Sequence, residues 1–311
     1  MQRPLSWRPA GAGGIGRRIL GSLMPGDRSV LTKISDLQEK LIPQLMSAGV
    51  VFPEDELALI LEAATGLTSA SLQPSAELTP QAASEVAALV RRRAQGEPLH
   101  YVTGAVDFRS LRLVIGPGAF IPRPGTFAVV DRAEAALPRG GILVDVCTGC
   151  GTIALAIASE RPDAIVYGSD VSGEALAWAE ENKRRTDLEV TFLLGDLFCP
   201  LPADLLGRID VIVSNPPHVP SGEARLLPRD VVDHEPAEAL FAGSDGLLVI
   251  RRLASEALGW LKPEGWLVCE LGDSQSDEVT RQLRLLGYTD VAIHLDESSR
   301  RRVVEARSRT Q

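Results

Sequence analysis

Apolar residues in the first third of the chain recur at helical spacing. Ile34, Leu37, Leu41, Leu45 and Met46 stand three or four positions apart, the period of one helix face. Pro43 falls inside this run, where a proline kinks or splits a helix. Pro53 opens a second helix over 54–64 with acidic residues in its first turn, as a helix N-terminus prefers. Thr79-Pro80 supplies the cap and first-turn residue of a third, which runs to about 95 and stops at Gly96,. Residues 31–100 therefore read as a small helical domain.

The pattern then changes. Residues 107–115 alternate as in a short hairpin,, and Phe120-Ile121-Pro122-Arg123-Pro124 is held extended by its prolines,. Residues 101–123 read as a hairpin linker. From 124 to 311, strands (142–146, 164–169, 189–194, 210–214, 265–270, 289–294, 302–306) alternate with helices (about 125–136, 152–160, 172–185, 245–260, 275–286). Such alternation predicts a mainly parallel sheet covered on both faces. The last two strands are joined by too few residues for a parallel crossover, so they pair antiparallel or are not neighbours.

Composition narrows the class. Of 311 residues, 45% are hydrophobic and 23% charged, ordinary for a soluble globular protein, and no apolar run is long enough to span a membrane. The net charge of −9 argues against wide contact with a phosphate backbone. Arg3, Arg8, Arg17, Arg18 and Arg28 face only Asp27 in residues 1–30, which lack hydrophobic periodicity and read as a disordered tail. Four cysteines do not make a secreted disulfide framework, so a reducing, cytoplasmic setting is expected. Cys147 and Cys150 form a C-x-x-C without the second pair that a metal knuckle wants; no metal is expected. His234-Glu235 lacks the second helical histidine of a zinc protease,. Arg91-Arg92-Arg93 closes a helix, where cations suit the dipole, and reads as a solvated face,.

Three segments carry chemistry. Asp145-Val146-Cys147-Thr148-Gly149-Cys150-Gly151 lies between a strand and a helix. Its glycines permit close approach of a ligand, and the helix N-terminus offers free N–H groups. Gly149-Cys150-Gly151-Thr152-Ile153-Ala154 also fits the dinucleotide pattern, and Asp170 closes the next strand, placed for ribose hydroxyls in either case,. Gly195-Asp196-Leu197 follows the third strand; Asp196 is placed to accept from an adenine amino group and Leu197 to pack on its ring. The buried strand Val211-Ile212-Val213-Ser214 ends in Asn215-Pro216-Pro217-His218. Paired prolines stop the ladder and leave the Pro216 carbonyl free to accept. With the Asn215 side-chain oxygen it forms two acceptors able to hold both hydrogens of a planar NH₂ group and aim its nitrogen at a methyl donor.

With these residues in place, the chain resembles the HemK-type protein-glutamine N5-methyltransferases, which modify bacterial peptide-chain release factors. The likeness covers about residues 31–307. It runs through Gly96-Glu97-Pro98-Leu99, Ile121-Pro122-Arg123-Pro124, the 145–151 loop, Asn215-Pro216-Pro217, Glu235-Pro236, Asp245-Gly246-Leu247 and Arg302-Val303-Val304. The resemblance implies a class I, Rossmann-like S-adenosylmethionine methyltransferase with a seven-stranded sheet whose last strand is antiparallel, preceded by a helical domain that grips the protein substrate. It implies that Gly149 and Gly151 face the methionine part of the cofactor, Asp170 the ribose, and Asp196 and Leu197 the adenine. Asp145, Cys147, Thr148 and Cys150 belong to the same cofactor loop. Asn215 and Pro216 would hold the side-chain amide, with Pro217 and His218 beside it.

Two departures bear on the substrate. Family members usually carry Tyr where this chain has His218, which can take a positive charge. Pro-Arg-Pro is usually followed by an acidic residue, Thr and Glu, and here by Gly125-Thr126-Phe127. The expected substrate is a release-factor glutamine, met by a monomer without membrane or stable nucleic-acid binding. The rival readings are a small-molecule methyltransferase on this fold, an adenine-N6 nucleic-acid methyltransferase, a cofactor-binding module without turnover, and a dinucleotide oxidoreductase.

Overall fold

The computed structural model describes residues 31–309; residues 1–30, expected to be a tail, lie outside the described residues. The chain divides into two compact units, the first ending at Gly104 and the second beginning at Ala105.

In the first unit, β1 (Thr32–Lys33) leads into α1 (Ile34–Ser47), whose buried stripe is Ile34, Leu37, Leu41 and Leu45. The helix is not split at Pro43. Pro43 costs the helix one N–H, but Leu41 and Leu45 anchor it on both sides and Ser47 Oγ donates to the Pro43 carbonyl at 2.8 Å. Helix α2 (Pro53–Thr65) begins on a proline, carries Glu54, Asp55 and Glu56 in its first turn, and ends at Gly66 with φ 67°, a left-handed cap that glycine enters cheaply. Strand β2 (Glu77–Leu78) pairs antiparallel with β1, too short a ribbon for any periodicity to announce. Helix α3 (Pro80–Ala94) is capped by Thr79, whose hydroxyl accepts from the Ala82 N–H at 3.3 Å, and α4 (Leu99–Thr103) completes the unit. Leu57, Ile60, Leu61, Leu78, Val86 and Val90 join the α1 stripe in one apolar core. Arg91 is solvated, but Arg93 grips Glu56 at 2.6 Å and Arg92 pairs with Glu97, so most of the basic run is spent inside the unit.

The second unit starts with the hairpin β3 (Ala105–Phe108) and β4 (Leu111–Val114). The Asn182 side chain bonds both backbone groups of Val114, at 2.7 and 3.0 Å, so the hairpin belongs with this unit. There follow α5 (Phe127–Ala136), β5 (Ile142–Val146), α6 (Thr152–Glu160), β6 (Ile165–Asp170), α7 (Gly173–Thr186) and β7 (Thr191–Leu194). Then come β8 (Ile209–Ser214), two short helices, α8 (Arg229–His234) and α9 (Ala237–Leu240), α10 (Leu248–Trp260), β9 (Leu261–Glu270), α11 (Ser276–Leu286), β10 (Thr289–Leu295) and β11 (Arg301–Arg307).

The seven-stranded sheet runs β10-β11-β9-β8-β5-β6-β7. Strands β9, β8, β5, β6 and β7 are parallel, and the last strand, β11, lies antiparallel between β9 and β10. Its middle strands are buried because helices cover both faces: all six residues of β8 are buried, as are residues 152–158 of α6,. Val144, Ile212, Leu253, Leu267 and Val304 tie sheet and helices into one core. Chain order reverses at β5, flanked by β8 on one side and β6 on the other. In open parallel sheets this switch point, at the carboxyl ends of the strands, is where a crevice forms.

Candidate active site

Four adjacent parallel strands deliver the motifs to one edge. Strand β5 ends at Val146 before the glycine loop, β6 ends on Asp170, β7 precedes Asp196, and β8 precedes Asn215. They surround a cavity whose space, open mouth included, is about 1060 Å³, enough for a small-molecule cofactor. Cys147, Thr148, Gly149, Cys150, Asp170, Asp196, Leu197, Asn215 and Pro217 all line it. Asp145, Gly151, Pro216 and His218 do not.

The loop is built by backbone turns and one buried carboxylate. Cys147 sits at φ 61° and Gly149 at φ 58°, so Cys147 accepts a conformation that costs a side-chain-bearing residue of order 1 kcal/mol. A Cβ on Gly149 would meet nothing within 4 Å, so open space reaches the backbone there. Gly151 is crowded on its Cβ side. A Cβ there would lie 2.8 Å from Phe192 and 3.2 Å from Ala179, so only a glycine lets α6 start this close to its neighbours. Asp145 Oδ2 accepts from Thr148 Oγ1 at 2.6 Å and from the Ala154 N–H at 3.1 Å, while Oδ1 is buried without a partner. Burial pushes its carboxyl up to about 7. Asp170 is braced by the Gly149 N–H at 2.8 Å and the Ser172 N–H at 2.9 Å, and burial raises it too. Burial also raises the thiols of Cys147 and Cys150, the latter to about 11, the opposite of the low-pKa thiolate that redox or metal chemistry uses.

The adenine-side expectation needs an addition. Both oxygens of Asp196 are engaged by the Arg252 guanidinium, at 2.8 and 3.2 Å. The carboxylate keeps further lone pairs toward the cavity, and Arg252 fixes its direction. Leu197 is buried at φ 47°, its carbonyl accepting from Ser169 Oγ at 2.8 Å.

At the end of β8 the structure corrects one expectation. The Pro216 carbonyl is not free: His218 Nδ1 lies 2.9 Å from it. A carbonyl only accepts, so Nδ1 carries the proton and the ring folds back over the turn; the second lone pair of Pro216 remains. Gln275 Nε2 donates to the His218 carbonyl at 2.8 Å and anchors the turn. Burial, helped by Arg302, lowers the imidazole pKa below its ordinary value, so the positive charge that a histidine threatens here is disfavoured.

Gly125 stands against a charged pair. A Cβ on Gly125 would lie 3.3 Å from Arg302 Nε and 3.6 Å from Asp296 Oδ2. Asp296 therefore faces Arg302, at 3.4 Å, from the space beside Gly125. Phe127 packs edge-on against Phe108 with centroids 4.8 Å apart, an apolar anchor for the hairpin.

Sequence reasoning passed over several lining residues. Phe120 and Pro122 form part of the wall, as do Pro236, Glu238 and Ala239. Glu235, buried, accepts from the Ile121 N–H at 3.1 Å and pairs with Arg123, strapping two motifs together. Those two motifs were legible separately; their contact, more than a hundred residues apart in the chain, left no local signal.

Chemically, the cavity offers a glycine floor at Gly149, a braced carboxylate for hydroxyls at Asp170, and an amide acceptor at Asn215. That donor and acceptor set fits S-adenosylmethionine: an amino acid part over the glycine loop, a ribose at Asp170 and an adenine at Asp196 and Leu197. Fold and site together define a class I methyltransferase. Among solved structures, a methyltransferase from Pyrococcus furiosus shares the fold with a TM-score of 0.50, at 19% identity over 63% of this chain and 88% of that one. The family model "Methyltransferase small domain" matches residues 124–268, and "PrmC N-terminal domain" matches residues 36–104. The release factor glutamine methyltransferase of Mycolicibacterium smegmatis is 38% identical over 89% of this chain and 98% of its own length. The enzyme of the same name from Geobacter sulfurreducens is 36% identical over 85% and 92%. The chain belongs to the release factor glutamine methyltransferase family.

Proposed function

We propose that this enzyme transfers the methyl group of S-adenosylmethionine to the side-chain amide nitrogen of a glutamine in a peptide chain release factor. The observation that carries the reading is the Asn215-Pro216 turn, which sets two oxygen acceptors at the end of a buried strand beside a nucleoside-sized cavity. The cofactor, when bound, supplies an activated methyl on sulfur, so the protein needs no strong base. Asn215 Oδ1 and the Pro216 carbonyl hold the two amide hydrogens and turn the face of the nitrogen toward the methyl. The proton lost on transfer leaves one of the N–H groups so held and passes to solvent at the open mouth of the cavity. Phe120 and Pro122 give the cavity an apolar wall, and polar contacts beside such a wall are worth more than in open water. Asp145, Cys147, Thr148, Gly149, Cys150, Asp170, Asp196 and Leu197 serve the cofactor. Residues 31–100 hold the protein substrate, residues 124–311 carry the transfer, and the enzyme acts as a cytoplasmic monomer without stable nucleic-acid binding.

The test mixes the enzyme with methyl-labelled S-adenosylmethionine and a purified release factor, native or with the glutamine of its Gly-Gly-Gln changed to alanine. Label on the native factor alone is the expected result. Cofactor binding with no label on either factor would sink the substrate reading and turn the search to small molecules.

A further inference from the structure

We propose that Thr126 and Glu270 form a positioning relay that decides which end of the Asn215 side-chain amide faces the cavity. The inference rests on the amide-acceptor reading above and names the residues that make it work. Glu270 ends β9, and β8, which carries Asn215 just beyond its end, pairs with it through Ser214 and Cys269. Its Oε2 lies 2.7 Å from Thr126 Oγ1, and Thr126 Oγ1 lies 3.3 Å from Asn215 Nδ2. Thr126 and Glu270 are 3% and 4% exposed, so water has little access to the contact between them.

Proton counting gives the chain of contacts a direction. A carboxylate has no proton to give, so the single hydroxyl proton of Thr126 goes to Glu270. The hydroxyl is then left with lone pairs only on the side of Asn215. Only the NH₂ end of the amide can meet them, and the Oδ1 end is turned away toward the cavity that Asn215 lines. The reversed amide would set oxygen against oxygen at Thr126 and would offer a substrate NH₂ group a donor where it needs an acceptor. The terminal torsion of an asparagine has two nearly equal choices by itself; here the buried carboxylate removes one. Arg302, 3.8 Å from Glu270, with Arg123 and Asp296 nearby, are the charged groups around that carboxylate. Burial raises the Glu270 carboxyl, while Thr126 and Arg302 hold it back toward the ionised form.

The test uses Thr126→Val, which keeps the shape and removes the hydroxyl, with Thr126→Ser as the conservative rescue and melting temperatures as the folding control. On a release factor, Thr126→Val is expected to lower kcat by about 10²-fold, the scale of a lost orientation, and Thr126→Ser to restore it. In an Asn215→Ala background the same Thr126→Val change should leave the residual rate unaltered, because its target is gone. Equal losses in both backgrounds would overturn the relay. A second measurement is independent of any substrate: the Asn215 side-chain NH₂ protons, followed by NMR in the enzyme alone, should exchange on the order of tenfold faster in Thr126→Val. Unchanged exchange overturns the relay. Wild-type enzyme that leaves the release factor unlabelled, with exchange accelerated as expected, faults the substrate reading and leaves the relay standing.

Discussion

His218 follows Asn215-Pro216-Pro217 directly, and its imidazole is tied to Pro216 through Nδ1. Because burial lowers its pKa in the folded chain, the folded state holds it neutral while the unfolded chain protonates it near its ordinary value of about 6.5. The contribution to stability is therefore full above that pH and is lost as pH falls toward the lower folded value. Wild type should lose more melting temperature than His218→Gln between about pH 7.5 and about pH 5, and equal losses would show that the ring is not held neutral. At this scale Asn215 was legible in the sequence because a strand followed by Asn-Pro-Pro is a local pattern. Its partners Thr126 and Glu270 were not, since a hydrogen bond spanning 144 positions writes nothing into neighbouring residues. The same holds for Arg252 on Asp196, 56 positions away. The packing demand on Gly151 was equally hidden: that a side chain there would meet Phe192 is visible only once the sheet is assembled.

Elements were legible where one physical signal dominated. The strands of the parallel sheet were expected to within a few residues because burial on both faces makes the middle ones predominantly apolar, and Pro53, Thr79 and Gly96 mark helix ends by their own backbone chemistry. The two-residue strands β1 and β2 and the short helices α8 and α9 escaped, being too short to repeat a hydrophobic period,. Helix α1 shows packing overriding propensity. Pro43 is exposed and sits in the helix interior, so its ring contributes no burial and its missing N–H leaves a gap in the ladder. Pro43→Ala should restore that bond and stabilise the helical unit by about 1–3 kcal/mol. Denaturant midpoints of the first unit check this, with amide exchange at position 43. A lowered midpoint would mean that the proline ring makes a contact the helix relies on.

For the whole molecule, the chain divides at Gly104 into two compact units. Every residue lining the cavity, from Gly118 to Arg252, belongs to the second unit, so the cofactor's binding energy is delivered there. A ligand that binds only the folded state stabilises it by RT ln(1 + [L]/Kd), about 2.7 kcal/mol at a hundredfold excess over Kd. S-adenosylhomocysteine should therefore slow amide exchange across β5, β6 and β8 while residues 34–94 exchange as before, and NADH should do neither. Protection spreading equally into the first unit would show that the two units unfold as one and that cofactor binding is felt by the helices. Protection confined to the second unit would leave the helical unit free to respond to the protein substrate alone. Adding a release factor would then slow exchange in α1, α2 and α3 on top of the ligand's effect, an additive pattern that two independent binding tasks require.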